Sequence, residues 1–240
     1  VRPEGSKCAV DERTRTDFER QRQEFEELVL PVVRPMIVGD PKDLIISVEG
    51  TPCDRCSRDD RRLANHLDYR CSIDYLHIAA GRGVRGIGAR VQWRPSPDGH
   101  WPWDTFTIRV TRQKGSRTEL EKLQHALANP GWFCPSLHVH AYTTDGVLNS
   151  VAVVHTVDLV TFATDNGLFE QDRLRYSGNS FFAHVPWTAL AKAGKRIRTW
   201  PDRLRPPRKE RQATRPGVWD AETDERTDLY PESEDDPWHG

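Results

Sequence analysis

The strongest constraint on this 240-residue chain is where its charges sit. From Lys192 to Arg215 there are ten basic residues against Asp202 and Glu210, and from Asp220 to Asp236 there are nine acids against Arg226. Pro201, Pro206, Pro207, Pro216, Pro231 and Pro237 punctuate the same stretch. So polar a segment has too little apolar surface to offset the chain entropy that folding costs. It reads as a disordered tail over 193–240, basic first and acidic last. The folded core is then confined to about 41–192, behind a helical segment over 1–40. Arg205, Arg208 and Lys209 in the basic half suit nucleic acid, with the acidic half competing for the same charges; a merely solvated tail is the plain alternative.

The whole chain balances 35 Lys+Arg against 36 Asp+Glu, which excludes binding of nucleic acid by bulk charge alone. With 36% hydrophobic and 30% charged residues the composition is that of a soluble globular protein. No apolar run reaches the roughly 18 residues a membrane span needs. The nearest, Leu28 to Val38, is broken by Pro31, Arg34 and Pro35. Five cysteines are an odd number and too few to staple this length. With no apolar leader in Val1 to Gly5, the expectation is a cytoplasmic protein.

Thr16 with Glu19 reads as a capping box, and Phe18, Phe25, Leu28 and Val29 form one helical stripe that Pro31 and Pro35 should end. Asp43 to Gly50, Ser72 to Ala79, Ile87 to Arg94 and Thr105 to Thr111 read as strands. The glycines from Gly81 to Gly86 connect the second of these to the third. Arg58 to Leu67 and Thr118 to Asn129 read as helices, the latter with Leu120, Leu123 and Leu127 inward and a stop at Pro130-Gly131. Ser136 to Thr143 and Val147 to Val154 form a hairpin around Asp145-Gly146. Asp158 to Thr164 is a helical turn, and Phe181 to Trp187 the last strand. The fold class is therefore α/β (α+β), a central mixed sheet flanked by helices.

Three groups could carry chemistry. Cys53, Cys56, His66 and Cys71 have the types of a tetrahedral zinc set, although cysteines are also ordinary small core residues. His138 and His140 share one face of a strand, as two metal ligands would, with satisfied histidines as the alternative. Asp74 in one strand, with Gln92 and Arg94 on one face of the next, could hold a hard cation such as Mg²⁺ or Mn²⁺ beside a cationic side chain. In the plainer reading Asp74 simply pairs with Arg90 or Arg94. Trp93, Trp101, Trp103 and Trp132, near Arg90, Arg94 and Arg109, could stack on bases or anchor loops.

The order helix, acid-bearing strand, strand ending in Gln-x-Arg, third strand, helix, strand resembles the PD-(D/E)XK phosphodiesterase superfamily over about residues 58–190. Tyr69 to Tyr75 is similar to the strand carrying that family's acid, and Gly88 to Arg94 to the strand ending in its (D/E/Q)-x-K. The resemblance implies a restriction-endonuclease-like core and a metal-dependent nuclease, with Asp74 and Gln92 on the metal and Arg94 on the scissile phosphate. It also implies a further acid from a preceding helix, for which Asp59, Asp60, Asp68, Glu24 and Glu27 are available. Arg94 stands where the family has lysine and cannot act as a base. Gln92 lacks the charge of a second carboxylate, so attenuated activity is expected. The alternative is a non-catalytic module for nucleic acid or protein, stabilised by zinc and using Arg90, Trp93 and Arg109. No phosphate-cradling Gly-Lys loop and no Gly-x-Ser-x-Gly occurs, which argues against an NTPase or a serine hydrolase.

Overall fold

The computed structural model describes residues 12–48, 63, 66–68, 70–93, 104–112, 117–129, 131–177 and 179–202. Cys53, Cys56, Arg94, Arg205, Arg208 and Lys209 lie outside the described residues, as does Trp101 to Trp103.

The chain opens with α1 (Glu12–Glu24), passes through one π-helical turn (Phe25–Val29) and continues as α2 (Leu30–Ile37). The expected start at Thr16 and stop at the prolines are both corrected. The helix begins at Glu12, Pro31 occupies the first turn of α2, and Pro35 lies inside it. Pro31 follows closely on the π-helical turn, where the regular α-helical ladder is already interrupted. The cost of Pro35 is offset by burial of Val33 and Ile37 on either side of it, in line with Val29 at four-residue spacing.

Six strands then form one mixed sheet, in the spatial order β1 (Leu44–Ser47), β2 (Tyr75–Ala79), β3 (Gly83–Gln92), β5 (Pro135–Thr144), β6 (Val147–His155) and β9 (Ile197–Trp200). The contacts are antiparallel throughout except β3 with β5, which is parallel. Parallel neighbours need a crossover, and α3 (Glu119–Ala128) supplies it between them. Thr118 caps α3 in a complete capping box with Glu121. The β5–β6 hairpin turns at Asp145 and Gly146, both at positive φ as a tight two-residue turn requires.

Two strands depart from expectation. The third strand of the sequence reading, β4 (Thr105–Arg112), leaves the main sheet and pairs with β8 (Ser180–Pro186) and β7 (Arg175–Ser177) in a separate three-stranded antiparallel sheet. Nor is β8 the last strand. Strand β9 lies inside the basic stretch assigned to the tail, because Ile197 to Trp200 find backbone partners on β6. Only a partner already folded can offer that ladder, which makes the strand hard to see locally.

Strand alternation gives the main sheet two different faces. Ile87, Ala89 and Val91 of β3 and Leu137, Val139 and Ala141 of β5 point to one face, where Phe25, Val29, Val33 and Ile37 cover them. On the other face, Tyr142, Ala152 and Val154 pack with Phe106 and Ile108 of β4, Val185 of β8, Leu159 and Phe162 of α4 (Thr156–Asp165), and Trp187 and Leu190 of α5 (Trp187–Lys192). Among the described residues no helix is long and apolar enough to cross a membrane.

Candidate functional site

The second face carries polar residues from β3 and β5 directly beside that apolar packing. Gly88, Arg90 and Gln92 alternate with the apolar residues of β3, and His138, His140 and Tyr142 stand opposite them on β5. The fit at Gly88 is close: a Cβ there would lie 3.1 Å from His138 Cε1 and 3.2 Å from its Nδ1. The bare backbone lets the imidazole lie across the strand.

Arg90 is the hub. Its Nη1 donates to the Thr107 carbonyl at 3.0 Å and to Thr107 Oγ1 at 2.7 Å, and its Nη2 donates to Glu119 Oε2 at 2.9 Å. Gln92 Nε2 reaches the same Thr107 hydroxyl at 3.4 Å. The two sheets and α3 are thus tied together through one guanidinium. Glu119 Oε2 also accepts from the Arg109 backbone N–H at 3.2 Å. Burial alone would raise the Glu119 carboxyl, but Arg90, the largest opposing influence, takes it below the usual carboxylate range, and Glu119 is charged at neutral pH.

The histidines here are neutral. Burial lowers His138, with Arg90 adding to the effect and Glu119 opposing it. Its Nδ1 lies 3.8 Å from Glu119 Oε1, a polar contact rather than an ion pair for an uncharged ring. His140 is pushed well below the usual imidazole range by burial and then by Arg90. Its Nδ1 accepts the Thr107 backbone N–H at 3.2 Å, which leaves the proton on Nε2. His184, paired with Thr107 across β4 and β8, is lowered to about 4 by burial, Arg175 and Arg90.

Arg109 completes the cluster from β4. Its guanidinium carbon lies 5.4 Å from the Phe182 ring centre, and that of Arg90 lies 5.7 Å from the same ring. One aromatic ring is therefore approached by two cations from different sheets. Burial lowers Arg109 to about 10, and the charges of Arg90 and Arg112 push the same way against Glu119. It stays charged at neutral pH, but in an environment with two guanidiniums to one carboxylate. Arg109 Nε and Arg112 Nε are buried donors without a hydrogen-bond partner among the described residues.

The other residues singled out from sequence are dispersed. Asp74 lies just ahead of β2, its backbone N–H bonded to the Ile87 carbonyl at 2.9 Å and its Oδ2 accepting the Ala89 N–H at 2.6 Å. The β2–β3 register, with Tyr75 opposite Ile87, puts Gly88 across from Asp74. Gln92 is four residues further, about 13 Å along the strand. Asp74 and Gln92 therefore do not fit one Mg²⁺ ion, whose oxygen ligands sit at about 2 Å. Trp93 meets Arg20 of α1, 5.2 Å from guanidinium carbon to ring centre, and does not join Arg90 and Arg109. Cys71 is buried with Val48, Leu67 and Ile73, whereas His66 is exposed beside Trp132. Of the acids proposed for the third ligand, Glu24 is held by Arg20 Nε at 2.8 Å and Thr143 Oγ1 at 2.5 Å, which ties α1 to the end of β5.

Sequence reasoning brought Arg90 and Arg109 into the candidate set but missed Thr107, Glu119 and Phe182. The signal for the site was the polar parity of β5, in which His138, His140 and Tyr142 alternate with Leu137, Val139 and Ala141. A second buried pair was missed at the far edge of the sheet, where Asp43 Oδ2 meets His77 Nε2 at 3.0 Å. No family model matches the chain, and neither the curated proteins nor the solved structures hold a match to it.

Proposed function

We propose that this protein binds nucleic acid, with phosphate groups held by Arg90 and Arg109 on the polar face of the sheet. The observation that carries the reading is the pair of guanidiniums near one Phe182 ring, where Arg90 and Arg112 outweigh Glu119 around Arg109. Like charges held this close raise one another's free energy, and a bound phosphate would offset that cost with charge-assisted hydrogen bonds. Phe182 adds an aromatic ring near both of them.

Binding is better supported than cleavage. The Asp74 carboxylate is used to complete the β2–β3 ladder, and the residue facing it is Gly88 rather than an acid. A restriction-endonuclease-like core remains the proposed ancestry. Its support is the succession of β2 with Asp74 just ahead of it, antiparallel β3, the α3 crossover and parallel β5; the third strand of the resemblance, β4, lies instead in the separate sheet.

The test is fluorescence anisotropy with labelled duplex and single-stranded DNA across a salt series. Binding should weaken linearly in log salt, and Arg109→Ala should reduce the slope by about one phosphate contact while lowering affinity about ten-fold. Affinity that ignores both salt and Arg109 would sink the reading. A parallel incubation of plasmid with Mg²⁺ or Mn²⁺ addresses catalysis. Cutting that is lost in Asp74→Ala would establish a metal-dependent nuclease instead of a binder.

A further inference from the structure

A patch of exposed rings lies at the opposite end of α3 from the arginine cluster. Trp132 is 36% and Phe133 40% exposed, unusual for such large side chains next to each other. Gly131, at φ +91°, and a hydrogen bond from the Trp132 N–H to the Asn129 carbonyl at 3.0 Å fix the turn that presents them. His125 of α3 sets the Trp132 ring from one side, edge to face with centres 4.6 Å apart, and His66 lies 6.3 Å away on another. The indole is thus held in place rather than left to swing.

The helix joins this patch to the cations. Glu119, Lys122 and His125 recur every three residues, a stripe along one side of α3. Glu119 touches Arg90 at one end and His125 touches Trp132 at the other. The ten residues of α3 span about 15 Å. Lys122 stands between them, its Nζ 3.4 Å from the Asp68 carbonyl. Cations that take phosphates, followed by exposed rings, is the arrangement that single strands use, since every base offers a face to stack. A closed duplex hides those faces.

We propose that Trp132 and Phe133 form a stacking platform for unpaired bases, so that the nucleic acid bound at Arg90 and Arg109 is single-stranded or carries a single-stranded flank. This rests on the nucleic-acid reading above. The platform sets strand preference and the arginines set affinity.

The experiment compares Trp132→Ala, Trp132→Phe, Phe133→Ala and Arg109→Ala with the unaltered chain. Anisotropy is measured on a labelled single strand and on a blunt duplex of the same sequence, with thermal unfolding as the check on folding. Trp132→Ala should weaken single-strand binding about ten-fold or more and leave the duplex within about two-fold. Trp132→Phe should restore most of the loss, and Arg109→Ala should weaken both ligands. Equal losses on both ligands in Trp132→Ala, or none on the single strand, would overturn the platform while leaving the arginine site standing. If the unaltered protein binds neither ligand, the nucleic-acid reading falls and the platform with it. Should Trp132→Ala unfold, Phe133→Ala and the ligand preference of Trp132→Phe decide.

Discussion

The two faces of the main sheet come from the same strands, yet they are built on opposite principles. One face takes Ile87, Val91, Leu137, Val139, Val151 and Val153 and closes them under Phe25, Val29, Val33 and Ile37. Apart from the Tyr75 hydroxyl its buried side chains are apolar, and its stability comes from area removed from water, roughly 1.5–3 kcal/mol for each large side chain fully buried. On the other face, buried His138 and His140 and half-buried Arg90 and Glu119 lie next to an equally apolar cluster. Its contacts are worth little net unless every partner is present, because burying charge costs nearly as much as pairing it returns. The comparison teaches that the first face holds the fold together, whereas the second keeps charge in a place where folding alone gives no reason for it.

The largest effect should come from the apolar face. Phe25 is buried and stacks on Tyr75 with ring centres 4.4 Å apart, so Phe25→Ala should cost about 3–5 kcal/mol in urea unfolding. A loss below about 1 kcal/mol would mean that the helical cover contributes little and would break the contrast. Next comes Glu119→Ala, which strands Arg90 without its carboxylate. Arg90 keeps 25% of its side chain exposed, so the cost should fall at the low end for a broken buried pair, about 3 kcal/mol. The same change removes the negative charge beside two guanidiniums. Polyanion affinity should therefore rise as stability falls, a divergence that a purely structural Glu119 would not produce.

A graded effect comes from pH. His138, His140 and His184 all have folded-state values below that of a free imidazole, His184 at about 4. Between there and about 6.5 the unfolded chain takes up more protons than the folded one, so stability is full above about pH 6.5 and falls as pH drops toward 4. Asp43 is also lowered, by the Ala80 N–H and then by His77 and Arg82, so its contribution holds above the ordinary carboxylate value near 3.8 and is lost below it. Urea unfolding from pH 7 to pH 4.5 should show a falling midpoint that His184→Asn makes shallower. A flat profile would mean that the polar face is looser and more hydrated than its burial implies.

Much of this was legible locally. The shared face of His138 and His140 on β5, the Asp145-Gly146 turn and the stripe of Leu120 and Leu123 on α3 each depend on neighbours a few residues apart, and each was read correctly. The one misplaced apolar residue in that stripe is Leu127, exposed near the end of α3 where no neighbour covers it. Glu119 read only as an acid in the first turn of a helix, because its partner Arg90 is 29 residues away. Asp74 and Gln92 were placed together by counting along two strands, but the count could not supply the register, and a shift of four residues separates them. The prolines misled in the same way, since the burial of Val33 and Ile37 that sustains α2 is supplied by the distant sheet.

By itself, then, the sequence determined the apolar and polar parity of the strands, the tight turns and the concentration of charge near its C-terminal end, all properties of composition, short-range sterics and local hydrogen bonding. Only the tertiary structure decided that β4 would leave the main sheet, that Ile197 to Trp200 would join it, and that Arg90 and Arg109 would meet over Phe182. Those outcomes depend on which backbone edges and which charges remain unpaired after the core has closed. That is settled by contacts between residues far apart in the chain, whose free energies no local pattern records.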